Sequence, residues 1–80
     1  MAWYVYLVRC RDNSLYCGIT KDVAARIAIH NAGKGAKYTR SRGPVTLAWN
    51  KRVRGESAAR RLEGQIKRLK KAEKEASIGG

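Results

Sequence analysis

Two short runs, WYVYLVR at Trp3–Arg9 and LYCGIT at Leu15–Thr20, flank the group RDNS and constrain this chain more than any other feature. Both runs are rich in β-branched and aromatic residues, and the residues between them favour turns, so the segment reads as a β-hairpin. Its register decides which side chains share a face. A two-residue Asp12-Asn13 loop would pair Arg11 with Ser14 and separate Tyr6 from Tyr16. A three-residue loop, Arg11 to Asn13 with Asn13 left-handed, pairs Cys10 with Ser14 instead. Tyr4, Tyr6, Val8 and Tyr16 then share one face, and Val5, Leu7, Cys17 and Ile19 form a wholly apolar opposite face. The second register sorts the side chains better and is the one expected. Three of the four tyrosines lie in this hairpin, where Val, Ile or Phe would pack without needing partners. Their hydroxyls call for a use.

The rest of the chain supplies helices and a third strand. TKDVAARIAIHNAG predicts a helix capped by Thr20 or Asp22 and ended by a left-handed Gly33. Val23, Ala24, Ile27 and Ala28 are expected to pack on the sheet, and Arg26 and His30, four apart, lie on one stripe. GKGAKYTRSRGP reads as a loop carrying Lys34, Lys37, Arg40 and Arg42 around Tyr38. VTLAWNKRV is a third strand at a sheet edge. After Gly55, Glu56 or Ser57 starts a long helix expected to run to about Lys71, with Leu62, Ile66 and Leu69 as its apolar stripe. Gly64 costs that helix roughly 1 kcal/mol relative to Ala and suggests a close backbone approach. The tail KAEKEASIGG reads as a short last helix, with residues 73–80 fraying. One small α/β (α+β) domain over residues 1–80 results, a three-stranded antiparallel sheet flanked by helices in the order ββαβα.

Cys10 and Cys17 fall on opposite faces of the preferred hairpin, against a disulfide, and no second Cys pair accompanies them for a metal site. No apolar stretch is long enough for a membrane helix. The first residues already alternate as a strand rather than as a signal peptide, so a cytoplasmic protein is expected. Eighteen Lys and Arg against 6 Asp and Glu leave a net charge of +12. Such an excess repels itself in the folded chain and points to a polyanionic partner, nucleic acid first.

The residues in order resemble one family. YVY at Tyr4–Tyr6 and YCG at Tyr16–Gly18 are similar to the paired tripeptides of the GIY-YIG nuclease superfamily. Arg26 sits where that family has its arginine, and Glu63 in RRLEGQIKRL where it has a single metal-binding carboxylate. HNAGKGAKYTR followed by GPVTLAW resembles the small stand-alone bacterial members, relatives of the SLX-type structure-specific endonuclease. The first tripeptide departs by opening on Tyr4 rather than Gly, and Cys17 replaces an Ile. The asparagine that some members carry beyond the glutamate is absent, since no asparagine follows Asn50.

The resemblance implies a Mg²⁺- or Mn²⁺-dependent DNA endonuclease, associated with the nucleoid in a bacterium. Tyr6 is then the general base, and Tyr16 orients the water or phosphate. Because a tyrosine ordinarily titrates near 10, its phenolate needs neighbouring cationic charge, for which Arg26, the metal and His30 are available. Arg26 contacts the scissile phosphate through its planar fork, and His30 assists the base. Asp12 falls in a turn and Asp22 near a helix cap, which leaves Glu63 as the single carboxylate for one metal. Lys67 has two open roles, binding DNA or pairing with Glu63. Lys37, Arg40 and Arg42 on the loop, with Arg60, Arg61, Lys67, Arg68, Lys70 and Lys71 on the last long helix, form the expected backbone-contacting surface. Nothing resembles a base-reading element, so branched, nicked or flapped DNA is the expected substrate class, with targeting left to a protein partner. The competing classes are a non-enzymatic nucleic-acid-binding module of the same fold and a small RNA-associated basic protein.

Overall fold

The structure is a computed structural model that describes residues 2–79. Its sheet has three strands, β1 (Trp3–Arg9), β2 (Leu15–Thr20) and β3 (Thr46–Val53). Strand β1 is central, in the order β2-β1-β3, and both pairings are antiparallel. The hairpin has the three-residue register: Tyr6 faces Gly18 and Val8 faces Tyr16. The Cys10 N–H donates to the Ser14 carbonyl at 2.8 Å, and Asn13 takes φ 70°. Asp12 accepts from the Ser14 N–H at 3.0 Å and closes the turn with its own side chain.

Each face of the sheet is covered by helices. On one face Val5, Leu7, Leu15 and Cys17 pack with Ala59 and Ile66 of α3 (Glu56–Lys67), and Trp49, Leu62 and Ile78 close the edges. On the other, Tyr6, Val8, Cys10 and Val45 pack with Tyr16 and with Ile27 of α1 (Val23–Asn31). Cys10 and Cys17 are both buried and free, one in each cluster. Strand β3 is an edge strand as expected, and its register shifts between Leu7 and Val8, leaving Ala48 as a bulge residue.

Helix α1 opens on Asp22, whose carboxylate accepts from the Ala25 N–H at 3.0 Å, and is followed by Gly33 at φ 77°. Its buried stripe differs from the expected one. Ala24 and Ala28 are exposed, while Val23, Arg26, Ile27 and His30 turn inward. The stripe keeps Val23 and Ile27 but is rotated toward Arg26 and His30, which draws two polar residues under the sheet. Asn31 fixes the far end of α1, donating to the Val45 carbonyl at 3.2 Å and accepting from its N–H at 2.6 Å.

Three further expectations are corrected. The glycine-rich loop contains a single helical turn, α2 (Lys37–Arg40), with Thr39 fully buried. The long helix ends at Lys67, and a new helix, α4 (Lys71–Gly79), follows. The break lies where the Glu73 carboxylate accepts the Lys70 N–H at 2.8 Å, half of a capping box that restarts the chain as a separate helix. The short last helix is present as expected, and it docks on the sheet: Ile78 joins the apolar cluster, and Glu75 holds Arg9 of β1 through two hydrogen bonds, at 2.8 and 2.5 Å. Gly64 marks no close approach, because a Cβ built there meets nothing within 4 Å.

Candidate active site

Four of the five expected catalytic residues meet on the α1 face of the sheet. Tyr6 points from β1 across Gly18 on the paired strand. A Cβ at Gly18 would lie 2.6 Å from Tyr6 Cζ, so only glycine lets the ring lie down over β2. The Tyr6 hydroxyl then reaches His30 Nε2 at 2.9 Å. His30 is in turn held by Thr39, with Nδ1 to Oγ1 at 2.8 Å, and Thr39 Oγ1 donates to the Ala36 carbonyl at 2.9 Å. Tyr6, His30 and Thr39 are 1%, 1% and 0% exposed, so this is an inward-facing polar chain.

Burial sets the charge state of the pair. It pushes the Tyr6 phenol above its ordinary value, and the Arg26 guanidinium beside it opposes this without prevailing. Burial also pushes His30 below its ordinary 6.5, and the positive charge of Arg26 adds to that. His30 is therefore neutral at pH 7. Neutral, it does not supply the cationic charge expected of it, and its Nε2 shares a hydrogen bond with the Tyr6 hydroxyl.

Tyr16, on the neighbouring strand, is only half-buried. Its ring meets the His30 ring edge-on at 5.6 Å and stacks on Tyr38 at 5.7 Å and 24°. The Arg42 guanidinium closes the stack 4.1 Å above Tyr38. Tyr4 stands apart, lining a groove with Val23, Ile27, Leu47 and Asn50.

Glu63 comes from α3, on the opposite side of the sheet. Its one ionic partner among the described residues is Lys67, at 3.4 Å, one turn further on. Lys67 Nζ lies 6.0 Å from the centroid of the Tyr16 ring, so the lysine of the pair reaches toward the cluster past the β2 edge strand. No hydrogen bond joins Glu63 to Tyr6, Tyr16 or Arg26 among the described residues. No group of three or more His, Cys, Asp or Glu that could hold a metal occurs among them either. The donor available is thus one hard carboxylate, which suits Mg²⁺ or Mn²⁺ held mainly by water and phosphate and does not suit zinc.

The expected nucleic-acid-binding residues divide into two sets. Arg42 is committed locally, donating to Asp12 at 3.1 Å and to the Tyr38 carbonyl at 2.8 Å. Arg60 pairs with Glu56 and Lys71 with Glu75, each four residues apart. Lys37, Arg40, Arg61, Arg68 and Lys70 carry no ion pair among the described residues and leave their charge to solvent. Lys37 and Arg40 lie on α2, while Lys70 lies between α3 and α4 and Lys71 opens α4, not on the one long helix expected.

Thr39, Gly35 and the packing role of Tyr38 escape sequence reasoning. A Cβ at Gly35 would lie 2.9 Å from His30 Cγ, so the glycine makes room for the imidazole. Neither Thr39 nor Gly35 carries a periodic or charge signal. An aromatic residue inside a polar loop was the one visible hint, at Tyr38.

A three-stranded antiparallel sheet flanked by helices, with Tyr6, Tyr16, Arg26 and His30 gathered on its α1 face, makes this an α+β domain with one polar cluster beside the sheet. The GIY-YIG catalytic domain matches residues 2–76, and the chain belongs to that family. It is 54% identical over 79 residues to a UPF0213 protein of Vibrio cholerae, covering 98% of this chain and 78% of that one. A UPF0213 protein of Staphylococcus haemolyticus is also 54% identical, over 71 residues, covering 89% of this chain and 87% of its own. Among solved structures, the UPF0213 protein of Bacillus halodurans, determined by solution NMR, is 43% identical with a TM-score of 0.63. That match covers 99% of this chain and 84% of the other.

Proposed function

We propose that this chain is a metal-dependent DNA endonuclease that recognises structure rather than sequence. The observation that carries the reading is the 2.9 Å hydrogen bond between the Tyr6 hydroxyl and Nε2 of a neutral His30, with Arg26 beside both. Ordinary core packing needs no such set. In this reading a water attacks the phosphorus as the P–O bond to the leaving sugar oxygen breaks; Tyr6 takes the water's proton while passing its own inward to His30 Nε2, and the leaving oxygen takes a proton from solvent. Tyr16 orients the water or phosphate from the open side. Arg26 neutralises charge building on the phosphate oxygens, a contribution of several kcal/mol in other enzymes when one such donor is removed. Glu63 would hold Mg²⁺ or Mn²⁺, which when bound supplies further positive charge to the scissile phosphate.

The net charge of +12 and the unpaired Lys37, Arg40, Arg61, Arg68 and Lys70 support contact with the DNA backbone. Backbone contact carries no base information, so branched, nicked or flapped DNA remains the proposed substrate class. A protein partner would supply targeting.

One observation favours a second reading, a nucleic-acid-binding module without turnover. Tyr6 is 1% exposed, and its raised pKa suits a satisfied core tyrosine as well as a base. Labelled branched and linear DNA incubated with Mg²⁺ or Mn²⁺, with and without chelator, separates the two. The nuclease reading expects cuts that need metal and are lost in Glu63→Gln while DNA binding survives. Binding without cutting on every substrate would favour the module.

A further inference from the structure

Beyond the residues that would touch DNA, hydrogen counting around His30 is informative. Thr39 Oγ1 has one hydrogen and lies within bonding distance of both the Ala36 carbonyl, at 2.9 Å, and His30 Nδ1, at 2.8 Å. If the hydroxyl donated to Nδ1, its oxygen would face the Ala36 carbonyl oxygen with no hydrogen between them. Nε2 would then carry the imidazole proton and donate to Tyr6. The Tyr6 O–H would be left without an acceptor among the described residues, because His30 Nε2 is the one acceptor it is hydrogen-bonded to and Arg26 only donates. A buried unpaired hydroxyl costs about 1–3 kcal/mol. The opposite arrangement satisfies every hydrogen. Tyr6 O–H donates to Nε2, Nδ1–H donates to Thr39 Oγ1, and Thr39 O–H donates to Ala36 O.

We propose that Thr39 is a positioning residue that fixes His30 in the Nδ1–H tautomer and thereby directs the Tyr6 proton toward Nε2. The consequence for cleavage rests on the nuclease reading above; the tautomer does not. Thr39 touches neither DNA nor the reacting phosphate in this scheme. It acts through His30, and its fully buried side chain ties the otherwise exposed turn α2 of the glycine-rich segment back under α1. Gly35 serves the same end by leaving space for the imidazole. The direction of the chain matters because a histidine protonated on Nε2 could not accept from Tyr6 at all.

The chain has a single histidine, so a long-range ¹H–¹⁵N imidazole spectrum reports His30 without ambiguity. The wild type at neutral pH is expected to carry its proton on Nδ1. Thr39→Val, nearly the same shape without the hydroxyl, is expected to move the population toward Nε2–H, and Thr39→Ser to restore Nδ1–H. Backbone amide spectra of both variants establish that each is folded. In cleavage assays Thr39→Val is expected to lose roughly ten- to a hundredfold in kcat at unchanged DNA affinity, as when a partner that orients a metal-bound histidine is removed, with Ser recovering most of it. A wild-type spectrum with Nε2 protonated would overturn the proposal. So would a folded Thr39→Val that keeps the Nδ1–H tautomer and full kcat. If the wild type cuts no substrate, the nuclease reading falls by itself, and the spectra still decide the tautomer either way.

Discussion

The Tyr6 hydroxyl lies 2.9 Å from His30 Nε2, joining the central strand to the last turn of α1 across 24 residues of sequence. Burial acts on the two partners in opposite directions, raising the tyrosine and lowering the histidine, so both are neutral at pH 7. The bond therefore joins two neutral groups in the buried core.

This arrangement makes folding stability depend on pH in a definite window. The folded chain holds His30 below its ordinary 6.5, first by burial and then by the nearby Arg26, while Tyr6, Tyr16 and Thr39, its other polar neighbours, offer no negative charge. Below that value the unfolded chain binds the proton more readily than the folded one. Stability is therefore full above about pH 6.5 and falls as the pH drops, with a slope of up to about 1.4 kcal/mol per pH unit. Asp12, held low by its Ser14 hydrogen bonds, and Glu75, held to about 2 by Arg9, lose their contributions only at lower pH. Urea midpoints at about pH 7 and about pH 5.5 are expected to differ for the wild type and to converge for a folded His30→Gln. Equal wild-type midpoints would show that His30 is protonated as easily in the folded chain.

Much of this was legible beforehand, for identifiable reasons. The hairpin register followed from side-chain period alone, because a one-residue slip would have put Tyr16 on the face opposite Tyr6, among Val5 and Leu7. The Asp22 cap and the left-handed Gly33 have local causes, and local causes can be read from local residues. The misses have non-local ones. Ala24 and Ala28 looked like the buried stripe of α1 because they are apolar, yet the polar Arg26 and His30 are drawn in by Tyr6, a partner in another element. The end of α3 depends on a side chain six residues beyond it, where Glu73 captures the Lys70 N–H. Thr39 joins the site only because α2 folds back under α1.

Gly64 is an avoidable weakness in α3. A Cβ there meets nothing within 4 Å, so Gly64→Ala adds helix propensity without crowding. A gain of about 1 kcal/mol is expected, a rise in Tm of roughly 4–8 °C for a domain of this size. Calorimetry checks it. No gain, or a loss, would mean that the backbone near Gly64 is constrained in a way its open surroundings do not indicate.

Helix α4 is held to the sheet at two points, Ile78 in the apolar cluster and the paired hydrogen bonds between Glu75 and Arg9. Glu75→Gln removes the charge and keeps the shape. Amide exchange in α4 is expected to accelerate while that of β1 and β2 stays unchanged, a local opening rather than global unfolding. Uniform acceleration across the sheet would instead make α4 part of one cooperative unit with the core.

The central claim is that the Tyr6 hydroxyl acts on DNA and is not only a satisfied core group. Single-turnover cleavage of a branched duplex with Mg²⁺, by wild type and by Tyr6→Phe at matched DNA occupancy, tests it most directly. A loss of about 10²–10⁴-fold in rate, with DNA binding intact and the fold retained, is the expected result for a positioned proton-transfer group. Cleavage by Tyr6→Phe at the wild-type rate would contradict it and leave the Tyr6–His30 bond a structural contact alone.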